Sequence, residues 1–142
     1  MQTFLPYPSF VESAEVLDRQ RLGKQRVEGL QILRALNGDT KGWVNHPATK
    51  MWRGHEMALV QYTFAMCIEW KKRGYKDTCM EKVALLADDN RNSWSGGDPV
   101  WLGDKSFHLS HQSNLIRKAP EHYGLLWSDV PDDIPYVWPE AQ

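Results

Sequence analysis

Apolar side chains recur every three or four positions over most of this chain, and no stretch alternates as a strand would. Ser9 with Glu12 forms a capping-box signature, with Ser13 as a second candidate cap. The helical pattern then runs from about residue 10 or 13 to Leu36, where Asn37 and Gly38 supply the stop. Residues 42–47 form a connector, and Pro47 is placed to open a short helix. A long helix is expected over 54–73, because its middle, from Met57 to Ile68, is apolar nearly all round and therefore central to the fold. Lys71, Lys72 and Arg73 complement its C-terminal dipole, and Gly74 suits the left-handed cap. Shorter helices are expected over 78–88 and over 108–118, the latter ending before Pro120. Between them lies a loop, Asp89 to Phe107, rich in Asn, Ser, Gly and Trp; that length marks a functional or disordered segment. From Asp129 onward, four acids and three prolines predict an extended tail, either packed down or mobile. The pattern as a whole predicts an all-α, compact single domain over 1–142, built around a long first helix and a central apolar helix.

Composition narrows this picture only at two points. The net charge of −1 conceals an asymmetry: residues 1–73 carry 11 Lys and Arg against 7 Asp and Glu, whereas residues 74–142 carry 6 against 11. A local basic face can therefore exist on a nearly neutral chain, although a dedicated DNA binder is usually more basic overall. The two cysteines, Cys67 and Cys79, show no disulfide framework. The opening "MQTFLPYPSF" lacks the basic and apolar regions of a signal peptide, and no apolar run reaches the roughly 18 residues that span a bilayer. A cytoplasmic protein without a membrane partner is expected, monomeric and near the nucleoid if DNA is its substrate.

The first helix concentrates the charge. With Arg21 at zero and about 100° per residue, Lys24 falls at about −60°, Glu28 at about −20° and Gln25 at about +40°. Leu22, Val27, Leu30 and Leu33 fall on the opposite, core side, and Arg19 and Arg26 share that side, so they must snorkel or bind buried partners. Two accounts fit. The face is either a solvated surface with weak intrahelical pairs, or an anion clamp in which cations grip phosphates and the one carboxylate shuttles protons.

Other candidates are spread along the chain. His108 and His111 stand three apart, and His46 and His55 lie elsewhere; none has the Cys or acid partners of a zinc site, so no metal is expected. Both late histidines suit either helix capping and core hydrogen bonding or contacts to phosphate and base. Arg117 and Lys118 suit either the helix dipole or phosphate. Among the seven tryptophans, Trp70 is expected in the core. Trp43 and Trp52 are candidates for a site wall, and Trp94 and Trp101 for a lid over a duplex.

Three segments, taken in order, carry a resemblance: the basic first helix with its late Glu28, "GHEMALVQYTFAMCIEWKKRGY" (54–75), and "FHLSHQSNLIRKAPEHY" (107–123). Together they resemble the pyrimidine-dimer DNA glycosylase family typified by phage endonuclease V. A bacterial branch of that family is matched by "FLPYP", "RLGKQRVE", "NHP", "MW" and "WLGD". The resemblance implies a compact all-α enzyme acting on damaged or modified pyrimidines in double-stranded DNA without cofactor or metal. It implies glycosylase action with abasic-site lyase chemistry, in which the chain's own α-amine attacks deoxyribose C1′ and a first-helix glutamate assists. Here Glu28 is the matching carboxylate and Arg21, Lys24 and Arg26 the neighbouring cations. On this reading Met1, Glu28 and Arg21 are catalytic, while Arg19, Lys24, Arg26, His46, Trp52, His55, His108, His111, Arg117 and Lys118 contact DNA. An α-amine titrates near 7.7–8.0 in model compounds, so a useful neutral fraction exists at pH 7. The archetype exposes a small residue after its initiator methionine is removed; Gln2 is bulky, so Met1 is expected to stay, and either its amine, displaced by one residue, is the nucleophile or there is none and Glu28 serves as base for direct water attack without lyase activity. Alternatives are a noncatalytic nucleic-acid-binding helical module, or a base- or nucleotide-modifying enzyme on the same scaffold.

Overall fold

The computed structural model describes residues 1–139, and its regular structure among these is entirely helical. The elements are α1 (Phe10–Val16), α2 (Arg19–Leu36), α3 (Pro47–Lys50), α4 (Glu56–Lys72), α5 (Cys79–Asp89), α6 (Lys105–Lys118) and α7 (Pro120–Tyr123). The expected all-α class holds, as does the central position of the apolar helix. α4 packs on α1, α2 and α5 and buries Leu59, Val60, Tyr62 and Met66 at its middle.

The first helix is two helices. Ser9 caps α1, its Oγ accepting the Glu12 N–H at 3.1 Å, but the chain leaves the helix at Leu17 with an extended ψ of 137°. Asp18 then caps α2, its carboxylate accepting the Arg21 N–H at 3.4 Å. A helix-periodic pattern survives such a break because Leu17 is still buried, here off the helix axis. Capping chemistry also extends α6 toward its start: Asp104 accepts the Ser106 N–H at 3.3 Å, and the helix begins at Lys105, three residues before the expected start. After α6, Pro120 opens a further short turn of helix rather than ending helical structure.

The buried arc of α2 is rotated from the one the apolar pattern gives. Val27, expected in the core, is 42% exposed, whereas Gln25, a polar residue on the charged side, is 1% exposed. The cause is the segment before α1. Residues 2–5 are buried and lie over the Gln25 side of α2, which turns part of a surface face into an interior one.

Two tryptophans change places with a third. Trp52, expected at a site wall, has no exposed surface; its indole N–H donates to Thr3 Oγ1 at 3.0 Å. Trp101, expected in a lid, is also core, with its indole donating to the Met51 carbonyl at 3.1 Å and its ring 5.0 Å from that of Trp52. Large rings whose single polar atom finds a partner belong in interiors. Trp70, expected in the core, is only half-buried and carries the Arg26 guanidinium at 4.4 Å from its ring centre. Trp94 is half-buried against the core, and Trp43 is exposed.

As far as Pro139 the tail is packed down; its last three residues lie outside the described ones. Ser113 Oγ accepts the Ile134 N–H at 3.0 Å, Ser110 Oγ accepts the Val137 N–H at 3.1 Å, and Asn114 donates to the Ile134 carbonyl at 3.0 Å. One face of α6 thus fastens the segment that follows it.

The crossing of α2 and α4 is tightest at Gly29, where a Cβ would sit 2.2 Å from Thr63 Oγ1 and 2.9 Å from its methyl carbon. Gly to Ala inside a helix ordinarily stabilises by about 1 kcal/mol. At this position Gly29→Ala is expected to have the opposite sign, destabilising by about 1–3 kcal/mol as the two helices are forced apart. Urea unfolding of the variant checks it, and a stabilised variant would show that the crossing is loose.

Candidate active site

α2 and the N-terminal segment enclose a cavity of about 580 Å³, closed on its far side by the end of α6 and by the tail. Its walls are Met1, Gln2, Phe4, Gln20, Arg21, Lys24, Gln25, Glu28, Lys118 and Tyr136. That volume lies within the usual range of small-ligand sites. Arg21, Lys24 and Lys118 line it with one carboxylate, Glu28, so the lining is net positive; Lys24 and the chain's own amine act directly on that carboxylate.

Placement of the chain terminus is achieved by hydrogen bonds from interior side chains. Gln25 Oε1 accepts the Phe4 N–H at 2.8 Å, and Gln25 Nε2 donates both to the Gln2 carbonyl at 2.9 Å and to Glu28 Oε2 at 2.8 Å. The Tyr62 hydroxyl, fully buried on α4, bonds Gln25 Oε1 and reaches the Phe4 carbonyl at 2.9 Å. From the other side, His111 Nδ1 accepts the Leu5 N–H at 2.9 Å. His108 Nε2 accepts the Gly103 N–H at 2.9 Å, which leaves its Nδ1–H to donate to the Leu5 carbonyl at 2.8 Å. Residues 2–5 are thereby clamped between α2, α4 and α6.

The charges at the site act on one another. Burial pushes the Glu28 carboxyl above its ordinary value, and the Met1 amine, the Gln2 backbone N–H, Lys24 and Gln25 offset only part of that. The amine is therefore close enough to be felt by Glu28, as it is by His46, whose ring is held below its usual pKa by burial and by the same terminal charge. Burial raises the Tyr136 phenol to about 12, so it stays a neutral hydroxyl at any pH near neutrality.

The remaining candidates divide by position. Arg21 lines the cavity and is 3.2 Å from Asp18, which steadies its guanidinium at the cavity wall. Arg26 faces the other way, ion-paired with Asp77 and covering Trp70, and is not at the cavity. Arg19 is exposed and borders a second groove of about 490 Å³ that shares Gln20, Lys24 and Glu28 with the first. Lys118 lines the cavity, whereas Arg117 donates to Asn114 Oδ1 on its own helix and to the Asp132 carbonyl of the tail. His46 caps α3, accepting the Ala48 N–H at 3.0 Å, and its ring is 6.1 Å from that of Trp138. His55 stands before α4 without a capping bond and does not border the cavity. His108, His111 and Trp52 are interior, and the burial of His111 lowers its pKa to about 3. These three hold the N-terminal segment in place and present no surface to a duplex.

Sequence reasoning missed Gln2, Phe4, Gln20, Gln25 and Tyr136 as parts of the site. Gln25 carried one usable signal, its position beside Glu28 on the charged face. Tyr136 carried none, since it reaches the cavity only because the tail folds back along α6. Among the described residues no group of three or more His, Cys, Asp or Glu is placed to hold a metal ion, and no helix is long and apolar enough to cross a membrane.

The family model described as pyrimidine dimer DNA glycosylase matches residues 1–83, more than half of the chain. The matched part contains the cavity walls from Met1 to Glu28, while Lys118 and Tyr136 lie beyond it. No curated protein and no solved structure matches the chain.

Proposed function

The chain belongs to the pyrimidine dimer DNA glycosylase family, and from that premise we propose that it excises damaged or modified pyrimidines from double-stranded DNA and then cuts the abasic strand. The observation carrying this reading is the meeting of the Met1 amine and the Glu28 carboxylate in one positively lined cavity. The neutral amine forms a bond to deoxyribose C1′ as the bond from C1′ to the base nitrogen breaks. The base takes the electron pair and a proton, the attacking nitrogen loses a proton, and the sugar ring opens to an imine. Ionised Glu28 stabilises the positive charge that develops on the sugar during base loss. It then accepts the C2′ proton, the C3′–O bond breaks, and the 3′ phosphate leaves. Arg21, Lys24 and Lys118 take the flanking phosphates, whose negative charge they match. Distortion of the duplex brings the C1′ of the target nucleotide within reach of the amine.

Borohydride reduction tests the reading directly, because it converts an imine into a stable cross-link. Incubation with a duplex containing one abasic site is expected to give a covalent protein–DNA adduct. Acetylation of the Met1 amine is expected to remove that adduct while leaving electrophoretic DNA binding in place. Binding with no adduct from the unmodified protein would favour a noncatalytic nucleic-acid-binding module.

A further inference from the structure

From Asp129 to Pro139 every residue of the tail is exposed or half-buried, so no part of it is seated in the core. What fastens it is a row of hydrogen bonds from α6. Ser113 Oγ and Ser110 Oγ hold the Ile134 and Val137 N–H groups at 3.0 and 3.1 Å, and Asn114 holds the Ile134 carbonyl at 3.0 Å. Arg117 adds bonds to the carbonyls of Asp132 and Ile134. A segment with little buried apolar surface, held by bonds near solvent, is among the first parts of a fold to open. Pro131, Pro135 and Pro139 keep it extended, with no helix of its own to lose.

Charge and place set this segment against DNA. The chain holds no Lys or Arg after Lys118, whereas the tail brings Asp129, Asp132 and Asp133, all exposed. Asp132 sits beside Arg117, and Tyr136 forms part of the wall of the cavity that Arg21, Lys24 and Lys118 line. A duplex phosphate approaching those cations meets carboxylates of its own sign. Arg117 meanwhile donates to neutral backbone carbonyls, and an ionised phosphate oxygen is the stronger acceptor.

Resting on the DNA-binding part of the function proposed above, we infer that residues 129–139 form an autoinhibitory strap that lifts from α6 when duplex DNA binds, and that Arg117 passes from the tail to a phosphate. The duplex shifts the strap because only the lifted state offers it Arg117 free of acidic neighbours.

The test uses the full chain and a duplex whose single abasic position is a tetrahydrofuran residue, which cannot form an imine. The Ile134 and Val137 amides are expected to be protected from hydrogen exchange in the free protein and to lose that protection when the duplex saturates it. Asp132→Asn combined with Asp133→Asn is expected to tighten duplex binding about 3-fold at low salt, an effect that fades as salt screens it. Arg117→Ala is expected to lower the slope of log affinity against log salt by about 0.9, the share of one phosphate. Protection that persists or grows on binding, an Asp variant that binds no more tightly, or an unchanged slope would each overturn the strap. Absence of duplex binding would overturn it together with the DNA reading. Loss of protection in a protein that gives no borohydride adduct on abasic DNA would support the strap and strike the chemistry at Met1.

Discussion

Glu28→Gln is expected to lower single-turnover cleavage by about 10³-fold, within the range that proton-transfer catalysis supplies, and to leave DNA affinity nearly intact. The affinity survives because phosphate contacts come from the cations around Glu28, none of which is removed. The pH profile gives a second readout. Burial raises the Glu28 pKa, and only the ionised form accepts the C2′ proton. Cleavage by the unmodified protein should therefore fall as pH drops through that raised value, at a higher pH than an exposed glutamate would dictate. The part of the acid limb that Glu28 supplies should vanish in the variant. The same shift has a consequence for folding. The folded state holds this proton more tightly than the unfolded chain, so the group's contribution to stability is present at acid pH and lost as pH rises through the raised value. Removing the charge should thus leave the fold intact at neutral pH, which thermal unfolding checks. Wild-type cleavage by Glu28→Gln would take the carboxylate out of the mechanism.

Gln25→Leu is expected to be the most damaging single change to the site, although Gln25 itself contacts no reacting atom. The substitution keeps the volume and strips the interior bonds to the Phe4 N–H, the Gln2 carbonyl and Glu28 Oε2. Each backbone group left buried without a partner costs about 1–3 kcal/mol. A loss of about 2–5 kcal/mol in urea unfolding is the expected total, since the Tyr62 hydroxyl can still bond the Phe4 carbonyl. The terminal amine is positioned by the same bonds, so the rate of borohydride trapping on abasic DNA should fall together with stability. Glu28→Gln, by contrast, should lose cleavage without losing stability. A Gln25→Leu protein as stable as the original, trapping at the original rate, would show that the terminus is held in place by something else.

These outcomes separate two kinds of residue that share one helix face. Arg21, Lys24 and Glu28 meet the cavity's contents. Gln25, with Tyr62, His108 and His111, turns residues 2–5 into a fixed wall. The histidines illustrate why charge and spacing were poor guides to role. A pair three apart on a helix reads equally as a DNA contact or as an internal bond, and only the position of Leu5 decides between them.

What the sequence determined by itself was local or periodic. Helical spacing fixed the all-α class and the central place of α4, because an apolar surface on every side of a helix has nowhere to go but the interior. The angles of Arg21, Lys24 and Glu28 followed from helix geometry alone, which is why those three were legible as one face. The ordered motifs pointed to a family whose model matches residues 1–83, which hold the first two of the three segments and not the third. The tertiary structure decided everything that depends on segments far apart in the chain. It broke the first helix at Leu17, since an N-cap at Asp18 competes with continuation and periodicity does not register that competition. It buried Gln25 and exposed Val27 because residues 2–5 cover one side of α2. It drew Arg26 to Asp77, fifty-one residues away, and brought Tyr136 to the cavity by pinning the tail on α6. Long-range contacts of this kind follow from which surfaces are left to cover once the helices have formed, and no local pattern in the chain encodes that.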